Sequence, residues 1–131
     1  MPLTYSKAQH HAYLDFMGNN ARNWVALFDG NTEFYSAAYW DLLKSLWRAD
    51  APVRKTDALK FMTAVKSAHT AGKYIDATLA YGYLIETENP GDARSKLISL
   101  SPDMRARLDA FFDTIVDDML ATAETVRATD R

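Results

Sequence analysis

The stretch AHTAGKYIDATLAYGYLIETENPGDARSKLISLS, residues 68–101, decides how this chain folds. Ser67, just ahead of it, can accept a backbone N–H bond and so start a helix. Ala68 or Ala71, Ile75 and Leu79 then recur at the spacing of an apolar helical stripe. His69, Thr70, Lys73, Tyr74 and Asp76 crowd the first two turns of the same helix. Gly82 falls just past the last periodic residue, where left-handed backbone is wanted. Tyr83-Leu84-Ile85 leads into Glu86-Thr87-Glu88, a short strand, and Leu97-Ile98-Ser99-Leu100 supplies its return. Between them Asn89-Pro90-Gly91-Asp92 is dense turn chemistry.

A polar-faced helix followed at once by a hairpin with an exposed arginine is the ground plan of a winged helix-turn-helix. That module sets a helix in the major groove of duplex DNA and a hairpin tip beside it. The same pattern also fits a βαβ fragment or an ordinary α+β hairpin with no ligand. On the winged-helix reading, the DNA-binding residues are Ser67, His69, Thr70, Lys73 and Tyr74 on the helix, and Asp92, Arg94 and Lys96 on the wing. Lys73 suits a phosphate or a guanine edge, and Thr70 a phosphate or a thymine methyl. Asp92 stands two residues from Arg94 and can aim it at a narrow minor groove.

Three segments carry a family resemblance: Gly82-Tyr83-Leu84-Ile85, Asn89-Pro90-Gly91-Asp92-Ala93-Arg94 and Leu97-Ile98-Ser99-Leu100-Ser101. Together they resemble the wing of MarR-type transcriptional regulators, and the likeness extends from about Val53 to Leu108. Two residues depart from that pattern. The wing of the family commonly has two adjacent arginines after its Asp, and here the first is Ala93. A Gly often follows the Leu-Thr pair, and here Met104 stands nearby. The resemblance implies a mainly α fold with a small β-hairpin wing, flanked by N- and C-terminal dimerisation helices. It also implies a homodimer on double-stranded DNA, and a small aromatic or phenolic effector bound between the dimer helices and the DNA-binding lobe.

Outward from this centre the chain reads as helix. Residues 5–28 carry Tyr13, Phe16, Met17, Ala21, Trp24, Val25 and Phe28 at helical spacing, and Asp29-Gly30-Asn31-Thr32 is a turn. Residues 33–49 set Tyr35, Tyr39, Leu42, Leu43, Leu46 and Trp47 on one side of a second helix, which Ala51-Pro52 ends. Thr56 is placed to cap a short support helix bearing Leu59, Phe61 and Met62. At 131 residues and 48% hydrophobic content the chain suits a single domain with a real core. Its expected parts are N-terminal helices over 1–50, a winged helix-turn-helix over 53–100 and a C-terminal helix over 101–131.

That last helix begins with signals of its own. Ser101-Pro102-Asp103 offers a cap, a proline suited to the first helical position and an acid at the positive helix end. Leu108, Phe112, Ile115, Met119, Ala123 and Val126 then step by threes and fours, widened by Phe111, Val116 and Leu120. A helix of about 25 residues is roughly 37 Å long, more than so small a lobe can cover. The stripe Leu108, Phe112, Ile115, Met119 and Val126 is therefore read as a dimerisation surface, the alternative being a monomeric bundle in which this helix folds back on the N-terminal one. An isologous dimer would offer two recognition helices to a pseudo-palindrome.

Charge permits this reading. The net charge is −2, yet residues 53–96 hold seven Lys/Arg against five Asp/Glu, and the acidic excess lies C-terminal to them. Phosphate contact requires local cations, not a basic protein. The absence of cysteine removes disulfides, thiolate metal sites and thiol switches. The start Met1-Pro2-Leu3-Thr4-Tyr5-Ser6-Lys7 is unlike a signal peptide, and no stretch has the length of a membrane helix, which points to the cytoplasm. His10-His11 with Asp15 is more simply a solvated helix face than a metal site, and Asp113, Asp117 and Asp118 are solubilising. With no phosphate loop, serine elbow or Cys/His pair, neither an enzyme nor a cofactor is expected. The aromatics Trp24, Phe28, Phe34, Tyr35, Tyr39, Trp40 and Trp47 read as core, with an effector pocket as their functional alternative. The expected function is a MarR-type DNA-binding regulator. The alternative is a winged-helix interaction or structural dimer that does not read DNA sequence.

Overall fold

Ser6 starts the first helix by a reciprocal cap: its Oγ accepts the Gln9 N–H, and the Gln9 side chain accepts the Ser6 N–H at 2.9 Å. In the computed structural model, which describes residues 2–131, this helix is α1 (Lys7–Val25). A single 3-10 turn, Ala26–Phe28, follows it. Asp29 and Gly30 then reverse the chain with φ of 54° and 83°.

The second helix is shorter than its hydrophobic pattern. Asn31 accepts the Glu33 N–H and caps a separate 3-10 turn, Thr32–Tyr35, before Ser36 extends and α2 (Ala37–Ala49) begins. Phe34 is the reason for the break. Its ring is fully buried, edge-on to Tyr39, Tyr81 and Tyr83 at centroid distances of 4.7–5.2 Å. A continuous helix would carry it elsewhere. α2 stops at Asp50, in left-handed backbone, before Pro52 is reached.

Val53–Arg54 forms a two-residue strand, β1, that the sequence reading lacks. It holds the chain extended up to the support helix α3 (Lys55–Ala58), so the N-cap position falls on Arg54 and Thr56 lies inside the helix. The expected Thr56 cap is thus displaced by strand pairing. A 3-10 turn, Leu59–Phe61, completes the support element. The helix α4 (Ala68–Ala80) starts as its sequence requires, with Ser67 Oγ accepting the Thr70 N–H at 3.2 Å. Ala71, Ile75 and Thr78 are its buried residues. Thr78 occupies the apolar stripe because its hydroxyl donates to the Tyr74 carbonyl at 2.6 Å and leaves no bare polar atom.

Gly82, at φ 85°, ends α4 by donating its N–H to Leu79 O while Tyr83 donates to Thr78 O. This double closure needs left-handed backbone at the Gly82 position. β2 (Leu84–Glu88) then pairs antiparallel with β3 (Lys96–Leu100), Glu86 opposite Ile98, and β1 pairs with the far edge of β3. The sheet order is β1-β3-β2. The helix α5 (Pro102–Ala128) follows, with Ser101 Oγ accepting the Met104 N–H at 3.1 Å.

The chain forms two compact units. Residues 31–108 build the winged-helix unit, whose core includes Leu42, Leu43, Leu46, Met62, Ile75, Leu84, Ile98, Met104 and Leu108, all at most 2% exposed. The second helix falls within this unit. Residues 1–30 and 109–131 form the other unit, an antiparallel pair made by α1 and the distal part of α5. Gln9 Nε2 donates to the carbonyls of Val126 and Thr129 at one end, and Trp24 meets Phe111 at 5.9 Å at the other.

Candidate nucleic-acid interface

The first two turns of α4 and the β2–β3 tip form the walls of an open groove of about 600 Å³. Arg54, Lys55, Thr56 and Leu59 line it from β1 and α3; Ala68, His69, Gly72, Lys73 and Asp76 from α4; Asp92, Arg94, Ser95 and Lys96 from the wing. Five cations and two carboxylates line it, inside a chain of net charge −2, and three further carboxylates, Asp57, Glu86 and Glu88, pair with those cations from outside the lining. Local cations, rather than total charge, are what attract a polyanion.

Most of the sequence-derived residues meet here. His69, Lys73, Asp92, Arg94 and Lys96 line the groove, and Thr70 and Ser67 are exposed beside it. Ser67 works mainly on the backbone as the cap of α4. Tyr74 does not join the groove-lining set. It is half-buried, with its ring edge-on to Tyr39 at 5.0 Å and 87°, a contact that ties α4 to α2. Four residues separate Tyr74 from Thr70, but the buried aromatic cluster captures its ring.

At the wing tip Asp92 organises the turn. Its N–H donates to Asn89 O, its Oδ1 accepts the Arg94 N–H at 3.0 Å, and its carbonyl accepts the Ser95 N–H. The same Oδ1 lies 3.7 Å from Arg94 Nε. The Arg94 side chain is 95% exposed, so the pair orients the guanidinium without burying it. Lys96 is ion-paired with Glu88 across the hairpin, and Arg54 with Asp57 at 3.4 Å. Lys55 lies 3.0 Å from Asp76 and 3.5 Å from Glu86. The hydrogen bond to Asp76 holds the Lys55 pKa above its ordinary value, against the opposing pull of burial. Lys73 stands outside all of these pairs.

Arg54 and Lys55 are the groove residues that the sequence reading counted only as local charge. They reach the groove because β1 pairs with β3, a contact between positions more than forty residues apart in sequence. Two adjacent basic residues directly after Pro52-Val53 were the available signal.

The stripe assigned to dimerisation divides in two. Leu108 is fully buried inside the winged-helix unit and is out of reach of a second chain. Phe112, Ile115 and Val126 are half-buried, while Met119 is half-exposed together with Val116 and Leu120. Tyr13, Leu14 and Met17 of α1 are exposed in the same unit. The displacement has a simple cause: the apolar face of α5 is wide enough to serve both its own core and an outer surface.

No family model matches the sequence, and no curated protein matches it. Solved structures do. A mutant of MepR from multidrug-resistant S. aureus superposes with a TM-score of 0.63 at 17% identity, over 94% of this chain and 84% of that one. A mutant of MarR from E. coli gives 0.61 at 17%, over 98% and 87%, and the same mutant complexed with operator DNA gives 0.56 at 15%, over 93% and 84%. The chain has the MarR-like winged-helix fold. Among the described residues no helix is long and apolar enough to cross a membrane.

Proposed function

We propose that this protein is a DNA-binding transcriptional regulator that grips duplex DNA with α4 and the β2–β3 wing. The observation that carries the reading is the cation-lined groove shared by the exposed end of α4 and the wing tip. Its width is bounded by a helix that presents His69, Thr70 and Lys73, and its rim by a turn that presents Arg94 almost wholly to solvent. A helix of this kind fits the major groove, and an adjacent arginine fits the minor groove. Operator DNA is the partner of the E. coli structure, and a 23-mer duplex is bound by the similar repressor CouR, which is 21% identical.

The acting species is a homodimer in the cytoplasm, paired through α1 and α5. The exposed apolar residues Tyr13, Leu14 and Met17 on α1 and Val116, Met119 and Leu120 on α5 support this, because pairing with a second copy would remove such side chains from water. Two α4 helices would then address a pseudo-palindromic site. The aromatic side chains also suit a small aromatic effector that favours one spacing of the two lobes. The role is that of a regulator, not an enzyme.

One observation favours a second reading, an interaction or structural dimer that ignores DNA sequence. Four of the five groove cations already face carboxylates, and Ala93 stands where a second wing arginine would add charge. Titration of labelled duplex DNA at 50–200 mM salt separates the two. The regulator loses affinity steeply as salt rises, since each neutralised phosphate contributes a slope of roughly −0.9. Replacing Thr70 and Lys73 together with Ala abolishes the preference for a selected operator and leaves the far-UV CD spectrum unchanged. Binding that ignores both salt and these substitutions would leave the structural dimer.

A further inference from the structure

Three elements of the winged-helix unit converge on one ammonium. Lys55 is the first residue of α3, Asp76 lies in the third turn of α4, and Glu86 is the central residue of β2. The Nζ lies 3.0 Å from the Asp76 carboxylate and 3.5 Å from that of Glu86. Asp76 also lines the groove, one helical turn from Lys73. A bare carboxylate at that position would repel the phosphates the groove is shaped to receive, and two carboxylates drawn together would repel each other.

We propose that Lys55 is the positioning residue of this interface: its ammonium clamps α4 to β2 and offsets the Asp76 charge within the groove. The clamp sets the distance between recognition helix and wing, so that Lys73 and Arg94 present themselves at one spacing. Lys55 acts through Asp76 and Glu86, not by touching the ligand. The second half of this inference rests on the DNA-binding reading above, and the first half does not.

The test has one arm on free protein and one on DNA. In the free protein, amide hydrogen exchange of β2 and β3 reports opening of the wing. Lys55→Met is expected to speed it at least five-fold, Lys55→Arg to leave it within two-fold of the parent. Unchanged exchange in Lys55→Met overturns the clamp, whatever DNA does. On a random-sequence duplex, Lys55→Met is expected to weaken binding at least five-fold. The double variant Lys55→Met/Asp76→Asn, in which the carboxylate is gone but the clamp is not restored, is expected to recover part of that loss, with the salt slope of the parent throughout. Failure to recover, with the slope reduced by about 0.9, would show that Lys55 holds a phosphate directly and overturn the positioning role. A parent chain that binds no duplex would refute the DNA reading alone, and the exchange arm would still decide the clamp.

Discussion

Arg94 illustrates how a single side chain is aimed without being buried. Asp92 builds the turn through three hydrogen bonds and keeps its carboxylate beside the guanidinium, which remains in water. An exposed pair of this kind contributes about 0–1 kcal/mol to stability, so its value lies in orientation. Arg94→Ala is expected to lower affinity for duplex DNA, most at sites flanked by A·T tracts, and to leave unfolding free energy within about 0.5 kcal/mol. Denaturant titration and anisotropy measured on the same sample check both halves. The wing turn was readable in advance, because Asn89-Pro90-Gly91-Asp92 states its own chemistry. Tyr74 was not. Whether an aromatic on a polar helix face points out or in depends on which rings the rest of the chain brings near it, and Tyr39 is thirty-five residues away. Lys55 was hidden for the same reason: its partners Asp76 and Glu86 lie on other elements.

The elements divide along the same line. α4, its Gly82 stop and the β2–β3 hairpin follow from local signals, since caps, glycine and turn residues act within four or five positions. β1 has only two residues, too few to show any periodicity, and it exists because β3 offers an edge. The break ahead of α2 is likewise tertiary, imposed by burial of Phe34. α5 shows the limit of a stripe read from one helix. Its apolar residues were legible, but their division into a core set and an outer set follows from packing against α1. Leu120, at 57% exposure, belongs to the outer set. Leu120→Asp is therefore expected to convert a micromolar dimer to monomers in sedimentation equilibrium while the helical CD signal is retained. A parent that is already monomeric over that range, or a Leu120→Asp dimer as tight as the parent, would remove α5 from the interface.

At the scale of the whole molecule, proton affinities and symmetry make independent predictions. Burial first, and then the hydrogen bond to Glu33, raise the Tyr39 pKa above its ordinary value of about 10, and Asp76 raises that of Lys55 above about 10.5. Both groups hold their protons more tightly folded than unfolded, so their contribution is complete below about pH 10 and is lost as pH rises through the folded values. Urea midpoints are expected to be level from pH 7 to 9 and to fall above pH 10, less so in Tyr39→Phe; an equal fall in parent and variant would dissociate Tyr39 from the effect. The central claim, that paired winged helices read DNA, meets its most direct test in hydroxyl-radical footprinting of the full chain on an operator selected from random duplexes. Two α4 helices related by a two-fold axis predict two protected tracts with centres about 10–10.5 base pairs apart, or a whole multiple of that, related by inverted repeat. A single unrepeated tract, or uniform protection with no preferred sequence, would contradict it.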